Sequence, residues 1–145
     1  MDNNKRTELI TKIKQQNLIL PSGNQPHPIV SIEDFFIGND DVGSIGCNLL
    51  DHPGIEVFYE AFASIREKPN VQGVFVEINE IDEASEGVWP FSDRVYVQTS
   101  ASREEVANWV SELEPDEIEE GYAYGPPPSA TQLEPGMRIY GIWWD

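Results

Sequence analysis

The sequence predicts an α+β fold of ferredoxin-like βαββαβ order, an antiparallel sheet with helices on one face, preceded by an N-terminal helix. Three observations carry this expectation. Residues 55–65 hold an apolar stripe at helical spacing. VQGVFVEINEI (71–81) and RVYVQTS (94–100) alternate as strands do. SREE (102–105) reads as a capping box that opens a second amphipathic helix before a final aromatic strand.

Taken in order, residues 5–17 place Leu9, Ile10 and Ile13 on one helical face. LPSGNQPHP (20–28) holds three prolines and a glycine, which reads as irregular chain. The expected organisation is therefore an N-terminal helix over 1–20, a Pro/Gly linker over 21–27, and one α+β domain over 28–145, with the helix separable from the rest. Ser31 is placed to cap a helical turn, IEDFF, and Gly38 to end it in the left-handed region. GSIGCNLL (43–50) reads as the opening strand, with Ile45, Cys47 and Leu49 on one face and Cys47 as a small buried hydrophobe.

Ile55, Phe58, Tyr59, Phe62 and Ile65 form the next stripe, and Pro69 lies just past its end. In 71–81, Val74, Val76 and Ile78 face one way, and Phe75, Glu77 and Asn79 the other. An acidic loop, 82–93, leads to the following strand. The helix opened by Ser102 carries Val106, Trp109, Val110 and Leu113 on one face, and Pro115 stops it. The last strand, MRIYGIWWD (137–145), is apolar or aromatic on both faces. Its second face therefore needs a cover: the N-terminal helix, the 121–135 loop, or a partner.

At 145 residues, with 39% hydrophobic and 24% charged side chains, the chain has the composition of one globular domain. No apolar run approaches the roughly 20 residues that span a bilayer. The polar N-terminus lacks the apolar core of a signal peptide, and a lone cysteine forms no internal disulfide, so the expected location is the cytoplasm. The net charge is −17 and uneven: +2 over residues 1–17 and −19 over the remainder. EINEIDEASE (77–86) holds five carboxylates and ELEPDEIEE (112–120) six. Such a surface repels nucleic acid and anionic membrane, and attracts a basic protein.

Chemical motifs are scarce. NDDVGSIGCNLLDHPG (39–54) combines Cys47 and His52 with acids and glycines, but a strand cysteine lacks the electropositive setting of a nucleophile. Its glycines and acids miss the spacing of a calcium loop, and one cysteine with two scattered histidines is too few for zinc. The expectation is a turn over 39–44, with Asn39, Asp40 and Asp41 bonding local backbone. No phosphate-binding glycine loop and no nucleophile elbow occurs. No catalytic residue, metal ligand or cofactor is implied, and a non-enzymatic role is favoured.

SIEDFFIGNDDVGSIGCNLL, WPFSDRVYV and the terminal YGIWWD resemble segments of a group of small acidic bacterial proteins of unassigned function. The resemblance spans roughly residues 28–145 and implies a bacterial origin and a shared fold, but no activity.

The favoured function is an acidic protein-binding module, such as an immunity or inhibitor protein for a basic toxin or nuclease. The residues expected to meet the partner are Glu80, Asp82, Glu83, Glu86, Glu117, Glu119 and Glu120, with Trp89, Trp143 and Trp144 as exposed aromatic anchors alongside Phe91. The alternatives are a small-molecule-binding domain or small enzyme using the open sheet face, and a structural protein without a ligand.

Overall fold

The computed structural model describes residues 1–16 and 25–145; residues 17–20 of the expected helical block and 21–24 of the expected linker lie outside this range. The described elements are α1 (Asn3–Gln15), β1 (Ile29–Ser31), α2 (Ile32–Phe36), a 3-10 turn (Val42–Ser44), α3 (Ile55–Arg66), β2 (Val71–Glu77) and β3 (Arg94–Thr99), then α4 (Arg103–Trp109), a second 3-10 turn (Ser111–Leu113), β4 (Glu117–Glu120) and β5 (Arg138–Trp143). The protein is α+β, with an N-terminal helix and a five-stranded antiparallel sheet in the order β1-β2-β3-β5-β4. β3 and β4 are each antiparallel to β5, so they run parallel to one another with α4 connecting them. This is a split β-α-β unit.

The opening strand expected over 43–50 is not a strand. Asp41 caps the turn Val42–Ser44, and Gly46 sits at φ +63, where a strand cannot continue. The first strand is instead β1, only three residues long. Its edge is covered by the Gln16 side chain, whose Nε2 donates to the Ile29 carbonyl at 2.8 Å while its Oε1 accepts the Ile29 amide at 3.3 Å.

Local signals operate as the sequence indicates elsewhere. The Ser31 hydroxyl accepts the amide of Asp34, that of Ser102 accepts the amide of Glu105, and Gly38 follows α2 at φ +86. A side chain at Gly38 would strike Lys5. Ile55, Phe58, Phe62 and Ile65 of α3 are buried against the sheet face that carries Val74, Val76, Val95, Val97 and Ile142. Leu9 and Ile13 of α1 belong to the same core, at 1% and 2% exposure. The Arg6 guanidinium ties α1 to the acidic loop, donating to the carbonyls of Val88, Asp82 and Ser85.

The second sheet face is covered by residues 121–132 of the same chain. Tyr122 packs on Tyr96, Tyr124 stacks on His27, and the carbonyls of Thr131 and Gln132 accept from Gln98 and Gln72.

Candidate functional site

Segment 39–54 is built by its own polar side chains. The Asn39 carboxamide accepts the amide of Asp41 and donates to the Ser44 hydroxyl, and the Asp41 carboxylate accepts the amides of Gly43 and Trp89. Asp40 instead pairs with the terminal amine of Met1 at 2.7 Å. His52 closes the segment: its Nδ1 accepts the Gly54 amide, so Nε2 carries the proton and donates to the Ile45 carbonyl. Both imidazole nitrogens are engaged, which leaves Cys47 without a base from His52. Cys47 is exposed, not buried as the alternation suggests, because the turn at Gly46 breaks the strand register.

Two acidic pockets border this segment. Asp41 and Gly43 contribute to the first, of about 350 Å³, with Glu80, Asp82, Phe91 and Trp89. Gly46 and Asn48 contribute to the second, of about 160 Å³, with Glu114, Asp116, Asp145 and Trp144. Each thus combines three carboxylates with a tryptophan, and among the described residues neither is lined by a lysine or arginine, although the Arg6 guanidinium bonds the carbonyls of Val88 and Asp82 at the first. The first brings together four residues singled out by sequence: Glu80, Asp82, Trp89 and Phe91.

The aromatic anchors require correction. Trp89 and Trp144 are each 1% exposed, and Trp143 and Phe91 are half-buried. Trp144 packs against Phe58 and Phe62 and donates its indole hydrogen to the Leu113 carbonyl at 2.9 Å. It is a core residue that presents only an edge to its pocket. Trp89 is buried as well, yet its indole nitrogen has no hydrogen-bond partner among the described residues.

The carboxylates expected at the surface are there. Glu80, Asp82, Glu83 and Glu86 are exposed, with Glu83 paired to Lys14 at 2.6 Å. Glu117, Glu119 and Glu120 project from β4, an edge strand hidden in the sequence because Ile118 alone of its residues is buried. Glu119 and Glu120 lie 3.9 and 3.7 Å from Arg94 and Arg138. A hydrogen bond to Glu119, and its charge, push the Glu117 carboxyl above the usual range.

Glu77 departs from its acidic neighbours in the sequence. Cross-strand register aligns Ile29, Glu77, Arg94, Trp143 and Glu117 in one row on the second sheet face. There Glu77 is 2% exposed, accepting from Tyr96 at 2.9 Å and from Asn79 at 2.8 Å. Asn79 also contacts His27, and Arg94 lies 3.9 Å from Glu77. Burial pushes the carboxyls of Glu77 and Asp93 upward. Alternation marks Glu77 as facing away from Val76, but not that Tyr96, Asn79, Arg94 and His27 gather around it there. The sheet face considered for a small ligand is occupied by the chain itself, through residues 121–132.

Among the described residues, no group of three or more His, Cys, Asp or Glu side chains is arranged to hold a metal ion, and no helix is long and apolar enough to cross a membrane. A family model described as "Uncharacterized protein YfbO family" matches residues 4–142. The chain is 39% identical over 139 residues to "Uncharacterized protein YfbO" of Escherichia coli (strain K12), an alignment covering 95% of this chain and 97% of that protein. No solved structure matches.

Proposed function

The chain belongs to the Uncharacterized protein YfbO family, and from its surface we propose that it is an acidic protein-binding module that captures a basic protein. The observation that supports this reading is the pair of tryptophan-backed acidic pockets on either side of segment 41–49. A lysine or arginine entering such a pocket meets carboxylates at its head and an aromatic edge along its stem. The exposed carboxylates of β4 add a field that steers a basic partner toward the molecule.

An immunity or inhibitor protein for a basic toxin or nuclease is one form such a module takes in this reading. Nucleic acid and anionic membrane are disfavoured as partners by the charge of −17. The single, exposed cysteine accords with a reducing cytoplasm.

The test is capture from a bacterial lysate on immobilised protein at low ionic strength, with the retained polypeptides identified by mass spectrometry. The expected result is a basic polypeptide retained by the wild type and lost from a Glu80→Gln, Asp82→Asn, Glu114→Gln, Asp116→Asn variant. Retention of neutral or acidic polypeptides only, or retention indifferent to the four substitutions, would overturn the reading.

A further inference from the structure

The segment that covers the second sheet face is held differently from the rest of the molecule. Residues 122–136 join β4 to β5 without helix or strand, and of these only Pro127 is buried. Among the described residues, none of them belongs to the core shared by α1, α3 and the first sheet face. Tyr122 and Ala130 pack instead on a small separate cluster of Ile29, Tyr96 and Ile139. The sheet holds the segment by side chains and not by a backbone ladder. The Tyr96 hydroxyl accepts the Ala123 amide at 3.0 Å, and Gln98 donates to the Thr131 carbonyl at 2.9 Å. Gln72 both donates to the Gln132 carbonyl at 2.8 Å and accepts the Glu134 amide at 2.9 Å. At the end of α1, Gln16 accepts the Ser129 hydroxyl at 3.0 Å. On the two sides of this contact, Gln98 Oε1 and the Tyr122 hydroxyl are buried with no hydrogen-bond partner among the described residues. Buried polar atoms left unpaired weigh against the closed arrangement.

The ends of the segment are joined without its help. The Gly121 amide donates to the Ile139 carbonyl at 2.9 Å, which carries the β4–β5 ladder up to the point where the segment leaves it. Gly121 and Gly136 stand at φ +101 and +82, and a Cβ at either would meet nothing within 4 Å, so packing fixes neither joint.

We infer that residues 122–136 are a strap that lifts from the second sheet face as one unit while the core and the β4–β5 ladder stay folded, baring the Tyr96 ring and the Ile139 side chain that the closed form hides. A segment with little buried apolar surface, tied down by side chains alone, belongs to the low-stability end of a structure. Gln72 grips two backbone groups of the strap at once, and Pro126, Pro127, Pro128 and Pro135 stiffen the chain between its attachments, so the contacts at Ala123 and Glu134 break together.

The test is native-state hydrogen exchange on the full chain, read by NMR with urea held below the unfolding transition. The amides of Ala123 and Glu134 are expected to share one opening constant, at least about a hundredfold larger than that of the β3 amides and less sensitive to urea. Gln72→Ala is expected to raise it equally at both positions, although of the two amides only that of Glu134 is bonded to Gln72. Leu9→Ala, in the core, is expected to speed the β3 amides at least about tenfold and to leave Ala123 and Glu134 within about twofold. Wild-type opening constants at Ala123 and Glu134 equal to that of β3 would make the segment a fixed part of the fold and overturn the strap. Acceleration of Glu134 alone in Gln72→Ala would show piecemeal fraying and overturn it too. Exchange of both wild-type amides at the rate of an unstructured peptide would leave no closed form and have the same consequence. The wild-type and Gln72→Ala measurements decide the question whatever the stability of Leu9→Ala.

Discussion

The Tyr96 hydroxyl donates to Oε1 of Glu77 at 2.9 Å and accepts the amide of Ala123 at 3.0 Å, so one phenol joins the sheet to the segment that covers it. Removing it leaves a buried carboxylate short of a donor and an amide short of an acceptor. Tyr96→Phe is expected to cost about 1–3 kcal/mol in urea unfolding. It should also speed hydrogen exchange at Ala123. Unchanged exchange there would mean that the cover is held by other contacts.

The same network sets a pH dependence. Burial raises the folded-state carboxyls of Glu77 and Asp93 above their ordinary values of 4.5 and 3.8, against Tyr96, Asn79, His27 and Arg94 around Glu77 and Trp143 beside Asp93. The stability this gives is complete below those ordinary values and is lost as pH climbs through the raised ones. Glu33 runs the other way: its hydrogen bond from Arg66 lowers it, so that contribution is present above 4.5 and lost as pH falls through the lowered value. The urea midpoint is expected to fall as pH rises above the ordinary carboxyl value of 4.5. Glu77→Gln should flatten that slope. An equal slope in the variant would assign it to general charge repulsion.

Burial of Leu9 and Ile13 in the common core bears on the expectation that the N-terminal helix is separable. Leu9→Ala is expected to cost about 2–5 kcal/mol, and removal of residues 1–16 to leave the remainder unfolded by circular dichroism. A folded remainder would establish a separable helix.

The exposed Cys47 is expected to react with a thiol reagent in the native protein as fast as in the unfolded chain. Cys47→Ser should shift stability by no more than about 0.5 kcal/mol. Slow modification that denaturant accelerates would contradict its placement in the turn.

The elements legible in the sequence are those whose burial repeats: the stripe of α3, the alternation of β2 and β3, the capping serines 31 and 102. Residues 43–50 mislead because Ile45, Cys47 and Leu49 alternate, while the turn geometry of Asn39, Asp41 and Gly46 overrides the pattern. β4 escapes because one buried residue makes no period. The acidic surface was legible from composition. The fate of each tryptophan was not, since its polar neighbours in WPFSD and IWWD are adjacent in the chain and not in the packing.

Trp144 consequently changes role in any binding experiment. Trp144→Ala is expected to lose about 3–5 kcal/mol of stability and to report on folding, whereas Glu114→Gln and Asp116→Asn should keep the wild-type melt and report on the pocket. Normal stability in Trp144→Ala would contradict its packing against Phe58 and Phe62.

The most direct measurement is the affinity of the purified protein for the basic polypeptide retained in the capture experiment, followed from low ionic strength to about 0.15 M. Affinity is expected to fall throughout that range, with Glu117→Gln, Glu119→Gln and Glu120→Gln slowing association and weakening its salt dependence. A partner bound with an affinity flat in salt, or one whose own surface is acidic, would contradict capture of a basic protein by this acidic face.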